Sequence, residues 1–431
     1  MRRIFGGFLL VLMATGAICA QTQKPESKTI VLKAARLFDG KSATLVTPGM
    51  VVVTDGKIVA AGTTADAPAG AQVIDLGDAT LLPGFIDAHT HVTMMYTTDY
   101  KQAMLDGLQK SVPEQTLDAV ENARVTLMAG FTTVRDVGSR HFIDVGLRNA
   151  IRNGKVPGPR MLVSVHAIGA TGGHCDETGF RSGVFGKETG PEEGVANGPD
   201  EVRYAVRLAH KYGADVIKTC ASGGVLSLAD DVDTPQLTQD EMNALIDEAH
   251  ALKRKVAAHA HGPEAARRAI RAGVDSIEHG TFLDDEAMDM MKQHGTYLVP
   301  TLEVRECVGA NYPQEFVAKA NQIMTAQLKN FRKAVDAGVK IAFGTDIGVC
   351  PFGQNAREFN YMVQNGMTPM SAIQSATVSD ANLLGISDKV GSIARGKLAD
   401  IIAVQGDPLT DIRLLEDVRF VMKQGEIFKQ D

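Results

Sequence analysis

Hydrophobic and polar positions fall into two textures along the chain. Near the start, short apolar runs are separated by polar breaks: Thr29 to Ala35, Gly49 to Thr54, Lys57 to Ala61 and Gln72 to Asp75. Runs this short, rich in β-branched residues, read as strands. Asp55-Gly56 between two of them predicts a tight hairpin, because the favoured turn needs positive φ at its central positions. The same texture returns at the C-terminus, where Asp400 to Val404 and Val418 to Lys423 are strand-like and Gln424-Gly425 marks a turn. Between these ends the pattern changes. Eight apolar runs occur there: Gly84–His91, Phe131–Asp136, Arg160–Ala167, Ala214–Lys218, Val256–His261, Ser276–His279, Tyr297–Pro300 and Lys340–Thr345. They alternate with helix-like stretches such as Glu201–Tyr212, Gln239–Leu252 and Pro263–Ala272. Eight strand–helix units predict an α/β fold, a (β/α)8 TIM-type barrel. A doubly wound sheet is the competing arrangement, but no GxGxxG or GxxxxGK[ST] loop stands where it would need one. The β-rich ends predict a small β-sandwich built from both termini, residues 21–80 plus 391–431, with the barrel inserted at 81–390.

The first residues have a different origin. Arg2 and Arg3 precede an apolar run from Phe8 to Met13, and small residues follow to Ala20. This is the layout of a secretory signal peptide, 1–20, and predicts a secreted or periplasmic protein. The run is too short to span a bilayer, which takes about 20 apolar residues. A lipoprotein reading of Cys19 would need an apolar residue three positions earlier, where Gly16 stands. Polar residues follow from Gln21 to Lys28, as expected of a mature N-terminus.

Composition narrows the partners. With 431 residues, 44% hydrophobic and 22% charged, the chain is neither disordered nor collagen-like nor a polytopic membrane protein. Its net charge is −7, it has no basic run, and it lacks Trp, which excludes a nucleic-acid partner. No membrane association is expected after processing. Of five cysteines, Cys175, Cys220, Cys307 and Cys350 survive processing, and no CxxC pair exists, so a cysteine zinc site is not expected. One disulfide is admitted, without an assignment. Gly169 to Gly198, a long glycine-rich stretch after the third strand, reads as a lid or a surface insertion.

In parallel barrels the active site lies at the C-terminal strand ends. Strand one ends in His89-Thr90-His91, strand four in Lys218, strand five in His259-Ala260-His261, strand six in His279 and strand eight in Asp346, while strands two and three carry Asp136 and His166. Five of the 11 histidines thus fall at three strand ends. Strand period is two, so His89 and His91 point to one side and can grip one cation, as can His259 and His261. One of the second pair should bind metal while the other faces substrate. Lys218 has three readings: an ordinary rim lysine, a Schiff-base nucleophile, or a carbamate able to bridge two metals. The histidines around it favour the third. Asp346 can touch a metal and accept a proton from its water, or it can cap a helix.

The set Leu82-Pro83-Gly84-Phe85-Ile86-Asp87-Ala88-His89-Thr90-His91, Lys218, His259, His279 and Asp346, with Gly391 to Asp400, resembles the amidohydrolase superfamily. More narrowly it resembles the imidazolonepropionase-like and Xaa-Pro-dipeptidase-like branch, which includes carboxypeptidases, prolidases and ochratoxin-hydrolysing amidases. Gly130 to Asp136 and Gly172-Gly173-His174 accord with that branch. The resemblance implies two divalent metal ions: His89, His91 and Asp346 on the first, His259 and His279 on the second, N6-carboxylated Lys218 between them. Zinc is the default from such donors. It also implies cleavage of an amide bond in a dipeptide or N-acyl amino acid by a metal-bridging hydroxide. Asp346 would shuttle the proton, and His261 or His174 would bind the oxyanion. His174, Arg181 and Arg305 are candidates for a substrate carboxylate, and Met94-Met95-Tyr96 for an apolar group. A homo-oligomer accords with the family. The chain departs from the family pattern at His166, where a small residue is expected, and at Gly348 to Phe352, which carries Cys350-Pro351.

Two other readings remain open at this point. A mononuclear deaminase or cyclic-amide hydrolase on the same scaffold would use an acidic shuttle; Glu278 is the neighbouring acid, but strand alternation points it away from the site if His279 points in. A non-catalytic periplasmic metal-binding protein would need no proton shuttle.

Overall fold

The computed structural model describes residues 28–64, 68–184, 186–228 and 230–431; the expected signal peptide lies outside the described residues. Five strands open the chain: β1 (Thr29–Ala34), β2 (Arg36–Leu37), β3 (Gly49–Thr54), β4 (Lys57–Gly62) and β5 (Gln72–Asp75). Asp55 (φ 49°) and Gly56 (φ 76°) make the expected hairpin turn between β3 and β4. Next come β6 (Ala79–Pro83), β7 (Phe85–Thr90), helices α1 (Tyr100–Gln109) and α2 (Val112–Met128), β8 (Phe131–Asp136), α3 (Ile143–Arg152), β9 (Arg160–Val163) and β10 (Ala167–Ile168). The middle continues with α4 (Gly198–Lys211), β11 (Val216–Cys220), α5 (Gln239–Ala251), β12 (Lys255–Ala260), α6 (Pro263–Ala272), β13 (Ser276–His279), α7 (Asp285–His294), β14 (Tyr297–Val299), α8 (Gln314–Asp336), β15 (Lys340–Ile341) and α9 (Arg357–Gln364). Strands β16 (Ile401–Gln405), β17 (Val418–Lys423) and β18 (Glu426–Gln430) close the chain.

Local rules account for these elements. In α6 the buried positions are Ala265, Ala266, Ala269 and Ile270, one helical stripe. Pro263 starts the helix and Gly273, at φ 96°, ends it in the left-handed conformation. Thr238 and Glu241 form a reciprocal capping box at the start of α5.

The terminal strands make two sheets, ordered β4-β3-β1-β5 and β18-β17-β16-β6-β2. One core joins them: Leu32, Val51, Val53 and Ile74 from the first pack with Leu81, Ile401, Phe420 and Met422 from the second. The middle strands also form two sheets, β7-β8-β9 and β10-β11-β12-β13-β14-β15, all parallel. This differs from the single closed ladder expected. At one seam Val165 adopts φ 72°, which breaks strand three into β9 and β10. At the other, β15 is short and strand eight meets strand one through separate backbone bonds: Ala88 N–H to Phe343 O (2.9 Å) and His91 N–H to Ile347 O (2.8 Å).

Two disulfides occur, Cys175–Cys220 and Cys307–Cys350, where at most one was expected. Both are tied to strand ends: Cys220 closes β11, and Cys350 lies four residues beyond Asp346. They enclose 45 and 43 residues of sequence separation, so in the chain-entropy view each is worth about 4 kcal/mol against the unfolded state. Reducing the protein with dithiothreitol is therefore expected to lower its thermal midpoint well before any loss of secondary structure at 25 °C. An unchanged midpoint in calorimetry would show that the bonds constrain nothing. Between Gly169 and the start of α4 at Gly198 the described residues hold no helix or strand, but backbone bonds between Gly169, Gly194 and Ala196 pinch the base of this stretch. No helix among the described residues is long and apolar enough to cross a membrane.

Candidate active site

Strand ends bring the predicted residues together. His89 closes toward His91, with ring centroids 5.5 Å apart, and toward His279 at 5.0 Å. His259 lies 4.7 Å from His261 and 4.6 Å from His279, and His261 stacks on His279 at 4.9 Å. Donor atoms of His259, His261 and His279 lie within 4.8 Å of one another, and so do those of His89, His91 and Asp346. Asp346 Oδ1 stands 3.3 Å from His91 Nε2 and 3.6 Å from His89 Nε2. Lys218 Nζ is 3.5 Å from His89 Nε2. His261 joins the second group as closely as the two expected ligands do.

Each histidine has one ring nitrogen occupied by an oxygen outside the cluster. His89 Nδ1 meets Glu278 Oε2 (2.7 Å), His91 Nδ1 meets Gly138 O (3.3 Å) and His259 Nε2 meets Gly223 O (3.0 Å). His261 Nδ1 meets Thr281 Oγ1 and His279 Nδ1 meets Thr301 Oγ1, both at 2.7 Å. The second nitrogen of each ring is left for the common space. Outer partners of this kind orient metal-binding imidazoles. Burial first, and then repulsion from neighbouring cations, pushes His89 down to about 4 and His261 to about 3, with His259 and His279 also held well below the usual range. These four rings are therefore neutral at pH 7, the form that ligates; at His91 burial also disfavours the charged form, but the bond to Asp346 outweighs it and raises the ring above its ordinary value. Burial likewise lowers Lys218 to about 8, which raises the share of neutral amine, the form that reacts with carbon dioxide. A packed set of imidazoles, one amine and one carboxylate fits a divalent cation site.

Glu278 corrects an expectation. Alternation along β13 should send Glu278 outward, but Ser276 and Glu278 face the interior together, Ser276 Oγ donating to Glu278 Oε1 at 2.5 Å. It is His279 that breaks the alternation: its φ of 68° swings the ring back to the same side. Glu278 is consequently the orienter of His89 and no free shuttle. Burial raises its carboxyl, yet Arg135 (2.9 Å) and His89 outweigh this and hold it at about 2. Arg135 also donates to Ser276 Oγ (3.1 Å) and is fully buried. The sequence offered one signal for this, an arginine inside the apolar strand β8.

Other expected residues are placed as follows. His174 stacks on His259, centroids 4.4 Å apart, so it belongs to the cluster. Arg305 pairs with Glu306 (2.9 Å) and lies over the Tyr361 ring, and no described contact joins it to the histidines. Arg181 is exposed. Met94 is exposed and Met95 Sδ takes Lys110 Nζ at 3.3 Å. His166 packs on Phe142 (5.5 Å) outside the cluster, and burial lowers its pKa. Asp136 accepts from Val92 N–H (2.6 Å) beneath His91; burial raises it to about 8. Asp230, Ser227 and Lys319, which prove to hold His174, were not singled out; nothing in their spacing announces them.

Paired imidazoles at the ends of parallel strands form two groups that could each hold a metal ion. Residues 80–428 match the amidohydrolase family, and the chain belongs to that family. It is a hydrolase acting on C–N bonds. An ochratoxinase from Aspergillus niger is 32% identical over 429 residues, covering 94% of this chain and 87% of that protein. The crystal structure of a Xaa-Pro dipeptidase with methionine bound in its active site is 44% identical, with a TM-score of 0.89 over 93% of this chain and 100% of that one. A prolidase complexed with N-methylphosphonate-L-proline is 30% identical, with a TM-score of 0.83 over 94% of this chain and 100% of that one.

Proposed function

We propose that the protein is a secreted or periplasmic binuclear amidohydrolase that cleaves the amide bond of a dipeptide or N-acyl amino acid. The observation that carries this reading is the set of buried histidines, each with one ring nitrogen engaged behind it and the other turned inward. The relatives support the substrate class, since a dipeptidase with bound methionine, a prolidase with a phosphonate of proline and an ochratoxinase are all similar to it. In this reading the middle strands form one (β/α)8 barrel over 81–390, and residues 21–80 with 391–431 form a β-sandwich. The two disulfides suit an oxidising compartment. A homo-oligomer is proposed with the family.

His89, His91 and Asp346 would hold one cation, His259 and His279 the second, and carboxylated Lys218 both. Zinc or a similar ion would supply Lewis acidity and acidify the attacking water. The protein's own residues do the rest. Asp346 takes the proton of the attacking water and passes it to the departing amine. His261, fixed by Thr281 through Nδ1, turns its other face to the carbonyl oxygen, and His174 stands beside His259 at the edge of the cluster. Glu278 and Arg135 keep His89 from rotating.

A panel of dipeptides and N-acyl amino acids, offered to zinc-loaded protein, is expected to reveal hydrolysis of at least one class with kcat in the common enzymatic range of about 1–10³ per second. Turnover of cyclic amidines alone, with one metal ion per chain, would overturn the reading in favour of a mononuclear deaminase.

A further inference from the structure

His174 is held more tightly than a loop residue needs to be. Its backbone N–H donates to Gln236 Oε1 (2.9 Å), and the next residue, Cys175, is bonded to Cys220. The imidazole lies over Gly224, where a Cβ would come within 2.2 Å of the ring, so only glycine fits there. His174 Nδ1 meets Ser227 Oγ at 2.8 Å. Ser227 is 3% exposed, and its hydroxyl in turn reaches Asp230 Oδ1 (2.8 Å) and Oδ2 (2.9 Å). Asp230 also receives Lys319 Nζ (2.9 Å) from α8, Gln236 Nε2 (2.9 Å) and Gly224 N–H (3.2 Å).

The polarity of this chain can be read from its far end. Four donors converge on Asp230, and a carboxylate paired with a buried lysine only accepts. Among the described residues, the other oxygen acceptor within reach of the Ser227 hydroxyl is Gly224 O, at 3.3 Å. The serine proton is therefore spent away from His174, and the oxygen is left to accept. His174 must then carry its proton on Nδ1 and present a bare Nε2.

We propose that Ser227 and Asp230 are positioning residues that fix His174 in the Nδ1–H tautomer and orient its Nε2 as a hydrogen-bond acceptor beside His259, with Lys319 anchoring the relay from α8. The kinetic consequence rests on the hydrolase reading above; the tautomer does not. An acceptor nitrogen at this wall of the cluster suits an N–H group of the substrate.

Two measurements on the zinc-loaded full chain test this. In ¹⁵N-histidine NMR, with His174 assigned by loss of its signals in His174→Gln, native protein is expected to show a protonated Nδ1 and an unprotonated Nε2. In Ser227→Ala that lock is removed, and the His174 signals should move toward a tautomer mixture. With the best dipeptide of the panel, Ser227→Ala should lose about 10–100-fold in kcat with less than a threefold change in KM and two metal ions still bound. Asp230→Asn, a second variant of nearly the same shape, should lose kcat in the same way. A proton on Nε2 in the native protein overturns the proposal, as does native kcat in both variants. Should no dipeptide be cleaved by native protein, the NMR result decides alone, and the hydrolase reading fails separately.

Discussion

Asp346→Asn is expected to lower kcat by about 10²–10⁴-fold, the usual worth of a positioned general base, while leaving metal content largely intact. The side chain is buried between His89 and His91, and the backbone at Asp346 takes φ 59°, a conformation an asparagine also tolerates. Burial alone would raise the carboxyl, but His89, His91 and Lys218 more than offset it and hold Asp346 well below the usual carboxylate range. It is therefore ionised and able to accept a proton at neutral pH. Asparagine keeps the size and one carbonyl oxygen for a cation, and gives up only the basicity. Measuring kcat beside metal stoichiometry by plasma mass spectrometry separates the two roles. Turnover within a few-fold of native would remove Asp346 as the proton acceptor.

Much of this was legible in the chain. Apolar runs located all eight middle strands to within a few residues, because parallel strands buried on both faces leave near-continuous apolar signatures. The histidine cluster was legible for the same reason: strand alternation places i and i+2 on one side, as His89 with His91 and His259 with His261 show. Alternation misled where the backbone leaves it. Positive φ at Val165 and His279 is local strain that no hydrophobic pattern encodes, and it broke strand three and reversed the expected direction of Glu278. The support behind the site was hidden for a different reason. Lys319 and Asp230 are 89 residues apart, as Arg135 and Glu278 are 143 apart, and only the folded chain makes them partners. The disulfides needed the same information, since four cysteines allow three pairings.

Stripping the protein with a chelator is expected to abolish hydrolysis and to leave an acid-sensitive fold. Without a cation, the buried rings of His89, His261 and His174 stay neutral down to about 4, 3 and 4, because burial disfavours their charged forms. In the unfolded chain each would take a proton near pH 6.5. Between those limits the unfolded state binds more protons than the native state, so stability rises with pH and is lost as pH falls from about 6.5 toward 4. A bound ion opposes this, because it binds the folded cluster and stabilises it by about 3–4 kcal/mol at 100 to 1,000 times its dissociation constant. Thermal midpoints of metal-loaded and chelator-treated protein should therefore differ at pH 7, and both should fall at pH 5, because the unfolded chain they share gains protons there. Returning zinc should restore both the midpoint and turnover. Equal midpoints at both pH values, with hydrolysis surviving the chelator, would mean that these imidazoles were assembled for something other than a cation.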